Sequence, residues 1–261
     1  MLIYPQFDPV IFEVGPLQVR WYGMMYVFGV LAGWLLGRWR ASRPGSGWTK
    51  AEVDDFVTWS IIGIVAGGRL GYVFFYNAAF YLSHPLKIFA VWEGGMSFHG
   101  GLLGVIAAIW LFARSTNKPL LAVGDFVAPL VPPGLFFGRL GNFINAELWG
   151  RATDLPVGMI FPGGGPVYRH PSQLYEAALE GVALFCILWW YSSRPRPRGA
   201  VGGLFLTGYG VFRFIVEFAR EPDAHLGFVA LHWMSMGQIL CLPMIALGLF
   251  FMLRGRRQAR G

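Results

Sequence analysis

The 261-residue chain is 55% hydrophobic and only 13% charged, with a mean hydropathy of +0.50, whereas an ordinary soluble domain is about 25% charged. So little charge cannot cover the surface of a 29.1 kDa water-soluble globule, which excludes a soluble enzyme; the same figures exclude a disordered chain, and two cysteines exclude a disulfide scaffold. The net charge of +7 raises nucleic-acid binding, but the placement of the basic residues argues against it.

The N-terminal stretch, residues 1–20, lacks the basic start of a secretory signal and contains Asp8 and Glu13. It reads instead as an arm at a membrane interface, where Tyr4, Phe7, Phe12 and, just beyond it, Trp21 sit among headgroups. Seven apolar stretches then follow, at about residues 21–39, 56–75, 98–112, 126–137, 177–191, 202–218 and 236–253. A hydrocarbon core of roughly 30 Å needs about 20 such residues. The fourth stretch is the weakest, being short and carrying Pro129, Pro132 and Pro133; a membrane helix tolerates prolines where neighbours satisfy the freed carbonyls, and a broken or re-entrant segment is the alternative. The 36 glycines, about twice ordinary usage, suit close helix–helix approach in a membrane. Cys186 and Cys241 fall within these stretches and are expected to be buried, inert residues.

Basic residues cluster after odd-numbered stretches: Arg40, Arg43 and Lys50; Arg114 and Lys118; Arg194, Arg196 and Arg198; Arg254, Arg256, Arg257 and Arg260. Cytoplasmic loops collect Lys and Arg, so the N-terminus is expected outside and the C-terminus in the cytoplasm. The fold class is thus all-α and integral to the membrane, with about seven transmembrane helices in one polytopic domain spanning 1–261. Residues 138–176 form a small outer head within it.

Ionisable groups at membrane depth are costly and usually pair or serve function. Arg69 in Gly67-Gly68-Arg69 either snorkels or meets a carboxylate. Tyr209, Arg213 and Glu217 are spaced by four and Arg220 follows by three, so they share one helix face. The plainer reading of that stripe is a packing ion pair between Arg213 and Glu217. Residues 138–151 are denser still, with Arg139, Asn142, Asn145, Glu147, Gly150 and Arg151 after an apolar stretch. A guanidinium fork matches the oxygens of a phosphate, although an interfacial loop with capping asparagines is the plainer alternative. His99, in Ser97-Phe98-His99-Gly100-Gly101, has the side chain suited to proton transfer near neutrality; a lone histidine there is otherwise structural. His170 precedes a helix start at which Ser172 is the expected cap, with Gln173 and Glu176 supporting the first turn.

His99, His170, His225 and His232 lack metal-ligand spacing, so no metal is expected. No nucleotide-cradling loop or nucleophile elbow occurs, and the basic residues line span ends, so no nucleic-acid partner is expected. The residues alone point to a membrane protein handling an anionic ligand. An enzyme acting on lipid phosphate, a transporter or flippase of an anionic lipid, and a membrane scaffold all stay open.

Seven motifs in order carry a more specific resemblance. They are FDPVIFEVGPLQVRWYGMMY at 7–26, RPGSGWTK at 43–50, GGRLGYVFFYN at 67–77, GGMSFHGGLLG at 94–104, and GRLGNFINAELWG at 138–150, with RHPSQLYEAALEG at 169–181 and GYGVFRFIVEFAREPDAH at 208–225; SMGQILCLPM at 235–244 follows. The chain resembles the bacterial prolipoprotein diacylglyceryl transferases. The resemblance implies a seven-span enzyme of the cell inner membrane with a periplasmic head and N-terminus and a cytoplasmic C-terminus. It implies transfer of a diacylglyceryl group from phosphatidylglycerol to the lipobox cysteine of a prolipoprotein signal peptide, releasing glycerol phosphate. Its implied partners are therefore that lipid, that peptide and the surrounding membrane lipid, with no metal or other cofactor. It further implies that Arg139, Arg213 and His99 are catalytic and that Arg139, Tyr22, Asn142, Glu147, Gly150, Tyr209, Glu217 and Arg220 bind substrate.

Overall fold

The computed structural model describes residues 2–15, 17–222 and 227–258; His225 and Arg260 lie outside them. The chain divides into two compact units, Met1–Gly33 with Asp125–Gly261, and Trp34–Gly124. The order of elements is β1 (Val10–Val14), β2 (Leu17–Arg20), α1 (Trp21–Ala41), α2 (Lys50–Tyr76), α3 (Ala78–Ser83), two short 3-10 turns (Pro85–Phe89 and Val91–Glu93), α4 (Phe98–Ser115), α5 (Leu120–Val127), α6 (Val131–Ile144), α7 (Ser172–Glu176), a π-helical stretch (Ala177–Ala183), α8 (Leu184–Tyr191), α9 (Ala200–Val216), β3 (Phe228–Ala230), β4 (Met234–Ser235) and α10 (Met236–Gln258).

Among the described residues, five helical runs are long and apolar enough to cross a membrane: Lys50–Tyr76, Phe98–Ser115, Leu120–Ile144, Ser172–Tyr191 and Met236–Arg254. At most 33% of any of these windows is buried inside the protein. Their apolar side chains therefore face outward, which in water would expose far more hydrophobic surface than a soluble monomer carries. Lipid is the solvent that fits, and the chain is a mostly helical multi-pass membrane protein. Helix α9 is apolar but spans 17 residues, and the 21-residue α1 carries Arg38 and Arg40 in its last turn.

In the unit Trp34–Gly124, Thr49 and Glu52 start α2 with a reciprocal capping box. Lys118 ties the residues after α4 to the same end through Glu52, at 2.9 Å. Between these helices, glycines at every fourth position of α2 meet glycines of α4. A Cβ on Gly67 would lie 2.8 Å from the Gly104 Cα, and one on Gly71 would lie 2.7 Å from the Gly100 Cα. Small residues four apart let the backbones approach this closely.

Arg69 does neither of the things its position suggests. It is buried, and its guanidinium donates to the backbone carbonyls of Lys87 (2.6 Å), Ile88 (2.9 Å), Gly94 and Gly95. It thereby folds the 3-10 turns back onto α2, while the Ser97 N–H donates to the Gly68 carbonyl at 2.8 Å and fixes where α4 begins. Arg69→Met removes charge-assisted hydrogen bonds worth about 1.5–3 kcal/mol each. Limited proteolysis in detergent should then cut residues 85–95 much faster than in the parent; an unchanged cleavage rate would contradict this role.

In the other unit the N-terminal arm is tied down by Tyr4, whose hydroxyl donates to the Phe143 carbonyl at 2.7 Å and whose ring packs with Phe143, Met159 and Phe161. Strands β1 and β2 pair antiparallel immediately before α1. The fourth span is longer than expected: α5, a 3-10 turn at Ala128–Leu130 and α6 run on as Leu120–Ile144. Pro129 falls in that turn, and Pro132 and Pro133 fall in the first turn of α6, where a missing N–H is tolerated. Asp125 then caps a distant helix, accepting from the N–H groups of Gly199 (2.6 Å) and Gly202 (2.8 Å) at the start of α9. Cys241 is buried but Cys186 is exposed, so burial as the expected setting for both holds only for Cys241. Cys186 occupies an outward position on α8.

Candidate active site

Helix α6 carries Arg139 toward its C-terminal end, α9 carries Arg213 one turn before its end, and Arg220 follows in the chain just beyond. All three meet the carboxylates of Glu176, Glu180 and Glu217. Glu176 lies 3.1 Å from Arg139 Nε, accepts from Arg220 Nη1 at 2.8 Å, and also accepts from Arg213 Nη1. Glu180 stands 3.8 Å from Arg139 Nη2 and 3.9 Å from Arg213 Nη1. Glu217 completes the group, 3.1 Å from Arg213 Nη2 and 3.5 Å from Arg220 Nε. Glu176 and Glu180 are wholly buried, whereas the arginines keep 13–18% of their side chains accessible. The guanidinium groups are thus the accessible face, with the carboxylates behind them.

This arrangement alters the chemistry that the arginines alone suggest. Three guanidinium groups are balanced by three carboxylates, so the cluster is formally neutral. What such a cluster offers an anion is directed N–H groups rather than net charge. The expected Arg213–Glu217 pair is present, but both terminal nitrogens of Arg213 are engaged, one by Glu176 and one by Glu217. Arg139 uses its Nε/Nη2 edge toward Glu176 and Glu180, which leaves Nη1 with no acceptor among the described residues.

The segment after α6 is held in a demanding conformation. Ala146 (φ 54°) and Leu148 (φ 56°) are both left-handed, which costs about 1–2 kcal/mol each for a residue with a Cβ. Such strain persists only where surroundings over-determine it, and here they do. The Asn142 carbonyl accepts from the Glu147 N–H at 3.0 Å, and the Asn142 side-chain amide donates to Glu147 Oε1 at 2.8 Å. The Glu147 and Leu148 carbonyls accept from Gln173 Nε2 (2.6 Å) and Ser172 Oγ (3.1 Å). Arg151 donates to the carbonyls of Arg220 (2.6 Å) and Glu217 (3.2 Å), holding the loop against the end of α9. Gly150 makes that contact possible: a Cβ there would stand 2.9 Å from the His170 Cβ and 3.0 Å from its carbonyl oxygen.

Several expectations about the helix start at 172 are corrected. Ser172 does not cap it: Pro171 is the capping position and no side chain bonds there. Ser172 and Gln173 instead face the loop, and Glu176 faces the arginines. Sequence reasoning missed Glu176 and Glu180 as site residues. The signal was present as two carboxylates four apart within an otherwise apolar 20-residue run, but the stretch was read as beginning only at residue 177. It also missed Ser235 and Gln238, which form a reciprocal cap at the start of α10. Ser235 Oγ then donates to Glu217 Oε1 at 3.0 Å, and Gly237 leaves room for the carboxylate, since a Cβ would lie 2.7 Å from Oε1.

The remaining expected residues are placed as follows. The Tyr22 ring packs on α6, 3.1 Å from where a Cβ on Gly141 would stand, and its hydroxyl lies 3.0 Å from that of Tyr26. Tyr209 is one turn before Arg213 on α9, its ring stacked with Phe205. His99 belongs to the other unit. It is exposed in the first turn of α4, beside the Phe98 ring, where Ser97 Oγ accepts from the Gly100 N–H at 3.2 Å. His170 lies against Tyr175, its Nδ1 3.1 Å from the hydroxyl. Burial and the nearby Arg151 charge hold its pKa below the usual imidazole value. Among the described residues no group of three or more His, Cys, Asp or Glu side chains is placed to hold a metal ion.

Known proteins share this arrangement of sequence over almost its whole length. The model of the prolipoprotein diacylglyceryl transferase family matches residues 9–254. Proteins named phosphatidylglycerol–prolipoprotein diacylglyceryl transferase are similar throughout. That of Nitratidesulfovibrio vulgaris strain Miyazaki F is 62% identical over 261 residues, covering 100% of this chain and 98% of the relative. That of Oleidesulfovibrio alaskensis is 64% identical, covering 99% and 98%, and that of Pseudomonas paraeruginosa is 54% identical, covering 99% and 97%. The chain belongs to the prolipoprotein diacylglyceryl transferase family.

Proposed function

We propose that this protein transfers the diacylglyceryl group of phosphatidylglycerol to a prolipoprotein, the first step of bacterial lipoprotein maturation. The observation that carries the reading is identity of 54–64% over nearly the full length to relatives bearing that activity in their names. The buried arginine–glutamate cluster agrees with it, because a phosphodiester is the anion that the reaction must hold. A transporter or flippase is not favoured.

The finer assignment is as follows. The acceptor is the lipobox cysteine thiol of the signal peptide, and both units belong to one polytopic domain of the inner membrane. Helices α1 and α9 join the five longer runs to make seven spans. The periplasmic head, expected at 138–176, narrows to the residues between α6 and α7, because both ends of that range belong to membrane-crossing runs; the N-terminus is periplasmic and the C-terminus cytoplasmic. Sulfur bonds to the glyceryl carbon that carries the phosphate, the C–O bond breaks, and its electron pair leaves on glycerol phosphate. Free cysteine has a pKa near 8.5, so the thiol must lose its proton on the way; His99 is the base assigned to take it. Arg139 and Arg213 stabilise the leaving phosphate as charge develops, with Arg220 beside them. Tyr22, Asn142, Glu147, Gly150 and Tyr209 line the substrate site, and Glu217 orients Arg213.

Purified protein incubated with phosphatidylglycerol and a lipobox peptide should form the thioether and release glycerol phosphate. A protein that moved lipid without chemistry, or only bound a partner, would release neither, and that outcome would overturn the reading. Glu217→Gln should lower turnover less than loss of Arg213 does, since Arg213 keeps Glu176. A loss as large would place Glu217 in direct contact with substrate.

A further inference from the structure

Arg139, Arg213 and Arg220 come from three separate places in the chain, yet one carboxylate reaches all of them. Glu176 Oε1 accepts from Arg213 and Arg220, and Oε2 faces Arg139 Nε at 3.1 Å. The three are not equally dependent on it. Arg213 has Glu217 at 3.1 Å on its other terminal nitrogen, and Arg220 has Glu217 at 3.5 Å. Arg139 has, among the described residues, only Glu176 and the more distant Glu180, both from the same helical run.

The backbone around Glu176 is also unusual. Immediately after it the helix widens into the π stretch Ala177–Ala183, a rare geometry found frequently at functional sites. Gly181 within that stretch sits against Phe136 of α6, where a Cβ would fall 2.9 Å from the Phe136 Cα. This close approach brings the two glutamates beside the part of α6 that carries Arg139. Neither oxygen of Glu180 has a hydrogen-bond donor, and neither does Glu176 Oε2; the directional bonds of the cluster run from Arg213 and Arg220 to Glu176 Oε1, and Arg139 is held by charge.

We propose that Glu176 is the positioning residue of the anion site, fixing the Arg213 and Arg220 guanidinium groups through Oε1 and keeping Arg139 beside them through its charge. This rests on the transferase reading above. It predicts a separation of binding from turnover. Glu176→Gln keeps the side chain's size but removes one negative charge, leaving the cluster with a net positive charge. An anionic lipid should then bind as tightly as before or more tightly, while the three guanidinium groups lose their fixed arrangement and turnover falls.

The test is kcat and KM of Glu176→Gln in the thioether-forming assay, with affinity for phosphatidylglycerol measured directly by titration in detergent micelles. A fall in kcat of tenfold or more, with lipid affinity unchanged or tighter, is expected. A smaller fall, or a loss of affinity in step with kcat, would overturn the proposal, because a merely structural residue does not separate the two. If Glu176→Gln does not fold, Glu176→Asp carries the same test: it keeps the charge but shortens the reach, so kcat should fall with affinity held. Unchanged turnover in Glu176→Asp would then overturn the proposal. Parent protein that forms no thioether in the same assay would instead refute the transferase reading itself.

Discussion

Arg213→Ala is expected to lower turnover about a hundredfold, because a charge-assisted contact worth ~3 kcal/mol in the transition state corresponds to that factor. Arg139→Ala should have a similar effect on turnover. The two differ in what they do to the fold. Arg213 is within ion-pair distance of all three glutamates, two of which have no access to water. Its removal leaves those carboxylates undercompensated, a change that typically costs about 3–5 kcal/mol. Arg139 touches two of them, one only at 3.8 Å. Thermal unfolding in detergent should therefore show a lower melting temperature for Arg213→Ala than for Arg139→Ala. Turnover must be expressed per folded molecule. Arg213→Lys should not restore activity, since an ammonium cannot reach two carboxylates and hold a plane at once. Parent turnover in either alanine variant would remove the arginines from the mechanism.

Gly104→Ala should be nearly as damaging by a different route. A Cβ there meets the Gly63 backbone, with its carbonyl carbon 2.7 Å away, and lies 3.1 Å from the Gly67 Cα. Backbone cannot swing aside as a side chain can, so α2 and α4 must separate. The cost should fall at the upper end of overpacking penalties, about 3 kcal/mol. Activity should fall with the folded fraction. By contrast, Gly124→Ala meets nothing within 4 Å and serves as the control. An unchanged melting temperature for Gly104→Ala would contradict the glycine-mediated contact.

The comparison between sequence and structure is uneven for physical reasons. Helical spacing made the Tyr209, Arg213, Glu217 and Arg220 stripe legible, and the polar density of residues 138–151 marked Arg139, Asn142 and Gly150. Glycine content foretold close helix contacts, which α2 and α4 make. The three prolines made the fourth span look short because their effect depends on where a helical turn begins, and a 3-10 turn places them near helix starts. Glu176 was read as a first-turn acid because local propensity favours that reading, while its actual partners lie 37 and 44 residues later, at Arg213 and Arg220. The π stretch has no simple sequence signature, and without it the facing of Glu180 could not be foreseen. Arg69 was weighed against water and carboxylates, but its acceptors are backbone carbonyls, which no side-chain pattern announces.

A structure of the protein with phosphatidylglycerol bound tests the central claim most directly. The account predicts the lipid phosphate within hydrogen-bonding distance of the Arg139 guanidinium, on the side turned away from Glu176, with Arg213 still held by Glu176 and Glu217. A headgroup lodged elsewhere, with Arg139 in contact only with protein, would contradict it.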